Sequence, residues 1–186
     1  MKLIEKIRCY FGFKALKHYL ELNPRKIKVC NLQDAKSIGI LFSLYDQESF
    51  KNALSLEKQI KNSGKKISLM CFSAFKVLPE FYTPKADSEC FTLRDIDWKK
   101  MPFGGTVERF ASQEFDILIV PEILESLPVM YLAAISKARF KTGKTSEHGT
   151  AIYDLNIQLP VEGSQEELIR NIVYYLSLIN NGKSES

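Results

Sequence analysis

The sequence predicts an α/β fold in which a mostly parallel sheet carries helices on both faces. Short apolar runs, of the kind found in strands buried on both sides, alternate with segments whose apolar residues recur every three or four positions. The length of 186 residues is enough for one hydrophobic core and short for two ordinary domains. We therefore expect a three-layer, Rossmann-like arrangement preceded by an N-terminal amphipathic helix.

The first 22 residues predict one amphipathic helix, or two short helices broken near Gly12. Their apolar spacings of three and four define one helix face, formed by Ile4, Ile7, Phe11, Ala15, Tyr19 and Leu22. Asn23-Pro24 ends the pattern. We interpret residues 1–28 as a basic helical extension, residues 29–181 as a single α/β domain and residues 182–186 as a flexible tail.

The middle of the chain predicts a βαβ unit. A strand at 37–42, a helix at 47–62 and a strand at 66–72 follow one another with the spacing that a right-handed crossover between parallel strands requires. A weak third strand at 90–93 comes next, followed by an irregular segment at 95–105 around the only tryptophan, which we call the Trp98 segment.

The second half of the chain predicts three more strands and three helices. In order they are a short helix at 106–113, a strand at 115–120, a helix at 126–137, a strand at 138–142, a polar loop at 143–150, an alternating strand at 153–159 and a final helix. A capping box at 164–167 begins that last helix.

The four cysteines predict reduced thiols. Cys9, Cys30, Cys71 and Cys90 lack the paired C-x-x-C spacing of zinc sites and dithiol motifs, so no metal is expected. Cys71 ends an apolar run and Cys90 begins one, which favours small core residues. The absence of a secretory signal and of a membrane-spanning apolar segment predicts a cytoplasmic location.

Ligands of parallel α/β sheets bind beyond the carboxyl ends of the strands, and the loops there supply the candidate site residues. Asp46, after the first strand, is a weak candidate for a catalytic acid or base. The ligand-binding candidates are Glu122, Lys144, Thr145 and His148. No dinucleotide fingerprint and no nucleophile elbow accompany them, so the sequence indicates no cofactor and favours binding over catalysis.

Residues 138–145 match the relaxed P-loop pattern A-x-x-x-x-G-K-T. A P-loop follows a buried strand and begins a helix whose first amides face the phosphates. Here the residues before Gly143 themselves predict a strand, and Ser146-Glu147-His148-Gly149 predicts no helix. We therefore interpret the match as coincidental.

Positive charge is concentrated at the N-terminus. Residues 1–28 contain eight basic and two acidic side chains, a net charge of +6, which leaves the rest of the chain at −2. The candidate partner-binding residues are Lys6, Arg8, Lys14 and Lys17. Such a helix suits a protein partner, RNA or, less favoured, an anionic membrane surface. The alternative is a solvated basic face whose apolar side packs on the protein's own sheet.

Four segments together resemble a small bacterial family defined only as a domain of unknown function. They are Ser37-Ile-Gly-Ile-Leu-Phe, Asp97-Trp98, Phe115-Asp116-Ile-Leu-Ile and Ser136-Lys-Ala-Arg-Phe-Lys-Thr-Gly143. The resemblance covers nearly the whole chain. It implies the fold and a cytoplasmic setting, and it implies no activity.

A more distant resemblance concerns the second half of these segments. The strand Phe115-Asp116-Ile-Leu-Ile, an Ala-rich helix and Ala138-Arg-Phe-Lys-Thr-Gly143 are similar to the N-terminal half of lipopolysaccharide heptosyltransferases, which are GT-B glycosyltransferases. This similarity implies that Asp46 stands roughly where those enzymes place a catalytic acid. The small residues that precede that acid are missing here, and the chain ends before a second, nucleotide-sugar-binding domain.

Three functional hypotheses follow. The first is an accessory or partner-binding domain that uses residues 1–28. The second is a small ligand-binding or glycosyltransferase-like enzyme remnant that uses the loops at the carboxyl ends of the strands. The third is association with RNA or the ribosome through the basic helix.

Overall fold

The computed structural model describes residues 2–61 and 64–179, and the expected tail at 182–186 lies outside them. Within these ranges the strands are β1 (Ser37–Leu44), β2 (Lys66–Ser73), β3 (Ser88–Thr92), β4 (Ile117–Val120), β5 (Phe140–Lys144) and β6 (Leu155–Ile157). The α-helices are α1 (Lys2–Leu22), α2 (Gln47–Lys61), α3 (Gly105–Ser112), α4 (Leu127–Ile135) and α5 (Gln165–Leu178).

The six strands form one sheet in the order β3-β2-β1-β4-β5-β6, and every neighbouring pair is parallel. This order confirms the predicted Rossmann-like fold. After β1 the chain adds β2 and then β3 on one side of it. It then returns to the other side of β1, where it adds β4, β5 and β6 in turn. The carboxyl ends of β1 and β4 therefore flank the switch point at which ligands of such sheets bind.

Two apolar layers bury the sheet on both faces. Ile38, Ile40 and Phe42 of β1 face a layer completed by α2 and α5. Leu41 faces the opposite layer, which contains residues of α1, α3 and α4. The central strand is thus apolar on both sides, which explains why its sequence shows a continuous apolar run and no alternation.

Helix α1 is continuous through Gly12. A Cβ atom at Gly12 would lie 2.3 Å from Leu127 Cδ2 and 2.4 Å from the Lys99 carbonyl oxygen. The glycine therefore permits a close contact between α1, the start of α4 and the Trp98 segment, and it does not break the helix.

The strand predicted at 138–142 lies two residues later, as β5. Gly143 and Lys144 therefore belong to the strand, and the next helical residues are a single 3₁₀ turn at Gly149–Ala151. This arrangement confirms that the A-x-x-x-x-G-K-T match is not a P-loop, because no α-helix begins directly after Lys144 and the next one, α5, begins only at Gln165.

Cys71 and Cys90 form a disulfide, with their Cα atoms 4.5 Å apart, so the prediction of reduced thiols is wrong for this pair. The two residues are 19 positions apart in sequence and lie opposite each other in the parallel β2–β3 ladder. Spacing rules detect cysteines that are close in sequence, whereas strand pairing brought these two together. Cys9 and Cys30 are free thiols.

Candidate functional site

A buried carboxylate lies at the switch point. Glu122, two residues beyond β4, is 7% exposed. Its Oε1 accepts a hydrogen bond from the Ser43 amide at 2.6 Å, and its Oε2 accepts bonds from the Ser43 hydroxyl at 2.6 Å and the Tyr45 hydroxyl at 3.3 Å. The Glu122 side chain thus joins the carboxyl ends of β1 and β4.

Burial raises the pKa of Glu122 to about 7, although the hydrogen bonds from Ser43 and Tyr45 act in the opposite direction. A carboxyl group that titrates near neutral pH has the acidity of a general acid or base. The recess beside it has a volume of about 20 Å³, which holds about one water molecule.

Asp46 begins α2. Its Oδ1 accepts a hydrogen bond from the Ser49 amide at 2.8 Å, and the Ser49 hydroxyl accepts one from the Asp46 amide at 3.2 Å. These reciprocal bonds satisfy amides at the start of the helix, as in a capping box. The candidate acid thus has a structural role that accounts for an aspartate at this position.

The structure brings Lys144 beside Glu122, because both line the small recess. Lys144 Nζ donates to the Ile123 carbonyl oxygen at 2.8 Å. Thr145 is held through its backbone, whose amide donates to the Ile157 carbonyl oxygen at 2.8 Å.

His148 links the loop after β5 to α1. Its ring stacks on Phe13 with a centroid separation of 3.8 Å, and its Nδ1 lies 3.2 Å from Glu125 Oε2. The His148 amide also donates to Glu125 Oε1 at 3.1 Å. Burial acts to raise the pKa of Glu125, but hydrogen bonds from Ser146 and His148 hold it below its ordinary value. These contacts fix α1 beside the carboxyl edge of the sheet.

A larger cavity of about 400 Å³ lies between α1 and the carboxyl ends of β1 and β2. Its polar lining includes Arg8 and Lys100, but both cations are already engaged. Lys100 Nζ pairs with Glu5 at 2.9 Å, and Arg8 Nε donates to the Trp98 carbonyl oxygen at 2.6 Å. Arg8 therefore connects α1 to the Trp98 segment. Lys6, Lys14 and Lys17 are exposed.

Helix α1 is apolar on two sides. Its packed side contributes Phe13, Leu16, Tyr19 and Leu20 to the core layer that contains α4. Its outward side exposes Leu3, Ile4, Ile7, Tyr10 and Phe11, with exposed fractions between 41% and 70%. Two residues of the predicted face, Ala15 and Tyr19, pack against the core. The other four are exposed: Ile4, Ile7, Phe11 and Leu22.

Trp98 extends this outward surface. It is 56% exposed, its ring centroid lies 5.7 Å from that of Phe11, and Lys99 Nζ lies 5.5 Å from the ring. We call the surface formed by Leu3, Ile4, Ile7, Tyr10, Phe11 and Trp98 the α1 face. The sequence indicates the helical part of this face, because the apolar residues of α1 occupy more than the single side that one packed contact buries.

A model of a family of unknown function, DUF6913, matches residues 8–179. The chain belongs to this family. No curated protein matches the chain. The family resemblance expected from the sequence is thus confirmed, and membership in DUF6913 brings no activity with it.

Among solved structures, the chain is similar to the E. coli heptosyltransferase WaaC with ADP, with 14% identity and a TM-score of 0.47 over 80% of this chain and 50% of that one. It is also similar to an exopolyphosphatase-related protein from Bacteroides fragilis, with 15% identity and a TM-score of 0.49 over 90% of this chain and 44% of that one. The DUF6913 chain thus spans about half the length of either protein.

Among the residues that the structure describes, no helix is both long and apolar enough to cross a membrane, and no cluster of side chains suits a metal ion. The residues that sequence reasoning missed are Ser43 and Tyr45, which hold Glu122, and the exposed Leu3 and Trp98. Of these residues, Leu3 could have been found from the sequence, through the helical spacing of the apolar residues in α1.

Proposed function

We propose that this DUF6913 protein is an accessory binding domain, without catalysis of its own, that contacts a partner through the α1 face. The observation that carries the proposal is the exposure of an apolar and aromatic surface on a helix whose other side is already packed on the protein. A surface helix of a soluble domain normally has one apolar side, and an additional exposed one is typical of an interaction site. The cytoplasmic location expected from the sequence is part of this proposal.

The carboxyl edge of the sheet supports a binding role over a catalytic one. Glu122 is enclosed beside a recess that admits about one water molecule, and Asp46 is used as a helix cap. The charged groups nearest the larger cavity are paired within the protein. Catalysis needs an acid, base or nucleophile within reach of a bound substrate, and neither Glu122 nor Asp46 is placed in this way.

In-cell photo-crosslinking tests the proposal. A photoreactive phenylalanine analogue replaces Tyr10, which is 65% exposed on the α1 face, or Tyr174, which is 56% exposed on α5 and serves as the matched control. After irradiation of living cells, the intact mass of the purified protein should reveal an adduct at position 10 and little at position 174. Equal labelling at both positions, or none at position 10, would contradict the proposal.

One observation favours a second candidate, a small-ligand site in the cavity beneath α1. Its volume of about 400 Å³ lies within the range of small-molecule pockets, and it adjoins the switch point. A ligand that binds the native state should raise the melting temperature. Nucleotides, nucleotide sugars and phosphorylated metabolites form the test panel, and Lys100→Met should abolish any shift that Lys51→Met on α2 retains.

A further inference from the structure

We propose that the partner of the α1 face is the surface of an anionic lipid bilayer. This inference rests on the proposed function above and names the partner of the same surface. It concerns peripheral contact, in which the first turns of α1 and the Trp98 side chain enter the interfacial region and the sheet stays outside.

The shape of the α1 face suits a planar interface. Leu3, Ile7, Tyr10 and their neighbours recur at spacings of three and four, so they lie along one side of a little over two turns, or roughly 12 Å of helix. Trp98 widens the surface beside Phe11. Interfacial helices bury such an apolar side among the headgroups and the first part of the acyl chains.

The composition of the surface also suits a bilayer. Aliphatic residues lie at its N-terminal part, and the indole and phenol rings of Trp98 and Tyr10 carry the polar groups that favour the membrane–water boundary. Exposed lysines follow, since Lys6, Lys14 and Lys17 are all open to solvent. Long lysine side chains can lie along apolar surface while their ammonium groups reach lipid phosphates.

Charge complementarity favours anionic lipid. Glu5, the acid within the first turns, pairs with Lys100 and Arg8, so its charge is balanced within the protein. Lys99 beside Trp98 adds a further cation next to the apolar centre. A basic surface near anionic headgroups gains about 1 kcal/mol, equivalent to about fivefold in binding, for each lysine.

The same features disfavour other occupants. RNA offers phosphates and stacking surfaces, but it has no hydrocarbon to cover Leu3, Ile4 and Ile7. A second copy of the chain would bring two sets of like-charged lysines together, which opposes self-association. An anionic bilayer supplies both hydrocarbon and negative charge.

Trp98 provides a direct readout, because it is the only tryptophan in the chain. The full-length protein is mixed with vesicles of phosphatidylglycerol and phosphatidylcholine in equal parts, or of phosphatidylcholine alone. We expect the Trp98 emission to shift to the blue with the anionic vesicles only. Lipids brominated near the headgroup end of the acyl chains should quench it.

Two pairs of variants separate charge from apolar contact. Lys6→Glu/Lys14→Glu/Lys17→Glu should weaken binding by roughly 100-fold or more, whereas the same charge change at exposed residues of α2, Lys51→Glu/Lys58→Glu/Lys61→Glu, should have a much smaller effect. Tyr10→Ser should weaken vesicle binding, whereas Tyr174→Ser should not. Circular dichroism establishes that all four variants are folded.

The proposal is overturned if anionic vesicles leave the Trp98 emission unchanged, if neutral vesicles act equally well, or if a single-stranded RNA alone produces the change. If the protein does not bind vesicles but forms a protein adduct at position 10 in cells, the membrane proposal is wrong and the α1 face is a protein-binding surface. If neither vesicle binding nor crosslinking at position 10 is observed, the proposed function itself is wrong.

Discussion

Glu122 receives two hydrogen bonds from one residue, Ser43, each of 2.6 Å and each to a different carboxylate oxygen. The two residues are 79 positions apart in the chain, and their contact closes the switch point between β1 and β4. Because this carboxyl group is buried and hydrogen-bonded, its protonation is linked to the stability of the fold.

We expect the free energy of unfolding to fall as the pH rises from about 4.5 to about 7. The pKa of Glu122 is raised from 4.5 to about 7 in the folded protein, so the native state holds a proton that the unfolded chain releases. The loss should be about 1.4 kcal/mol per pH unit in that window. Glu122→Gln, which resembles the protonated acid, should remove most of this slope.

Urea titrations at several pH values measure this effect, and the exposed Glu80→Gln is the control. The prediction fails if wild type and Glu122→Gln show parallel pH profiles.

Removal of the Cys71–Cys90 disulfide should destabilise the protein. The bond closes a loop across 19 positions, and the loss of that constraint from the unfolded chain corresponds to about 3 kcal/mol. Cys71→Ser/Cys90→Ser should therefore lower the urea midpoint, as should a reductant added to the wild type.

Alkylation of the unreduced, denatured protein provides an independent measurement. It should modify two thiols, those of Cys9 and Cys30, whereas four modified thiols would show that the bond is absent. Cys9→Ser/Cys30→Ser is the matched control, and its midpoint should remain sensitive to reductant.

Gly143→Ala should destabilise the domain by about 1–3 kcal/mol. A Cβ atom at this position in β5 would lie 2.6 Å from the Tyr153 ring, which is buried and cannot swing away. Thermal or urea denaturation gives the size of the effect. Gly105→Ala is the control, since its Cβ would meet only a flexible arginine side chain at 3.4 Å.

A smaller side chain opposite Gly143 should restore part of the loss. We expect Gly143→Ala/Tyr153→Leu to be more stable than the sum of its two single variants would give. Strict additivity would mean that the glycine is needed for some other reason than the close approach of Tyr153.

We expect Lys141 to cause a second effect of pH on the free energy of unfolding, above neutrality. Its side chain is fully buried, and its Nζ donates to the carbonyl oxygens of Ala133 and Ala134 at 2.6 and 2.9 Å, at the C-terminal end of α4. Burial, reinforced by the charge of Arg25, lowers the pKa of Lys141 from 10.5 to about 7.

The folded state therefore binds this proton more weakly than the unfolded chain does, and the free energy of unfolding should rise by about 1.4 kcal/mol per pH unit above about 7. Lys141→Met should flatten the profile between pH 7 and 9 in the same urea titrations. Lys137→Met, at an exposed position two residues beyond α4, is the control. A slope that survives in Lys141→Met would assign the effect to another group.

Much of the fold could be predicted because its determinants are local. The apolar runs of β1, β2 and β4 and the periodic apolar spacing of α2 and α5 are properties of single segments. The candidate site was predicted less well. Glu122 and Lys144 meet at one recess, but Asp46 caps α2, and the partners of Glu122 come from a strand that no spacing rule connects to it.

The sequence by itself determined the order and type of the elements, the parallel sheet and the basic N-terminal helix, because periodicity, turn residues and charge are read within a few positions of the chain. Tertiary structure alone decided three matters. Strand pairing placed Cys71 opposite Cys90, the reversal of strand order placed Ser43 against Glu122, and packing on α4 selected which apolar side of α1 is buried. Each depends on contacts between segments that are distant in sequence, and local patterns carry no information about which distant segments meet.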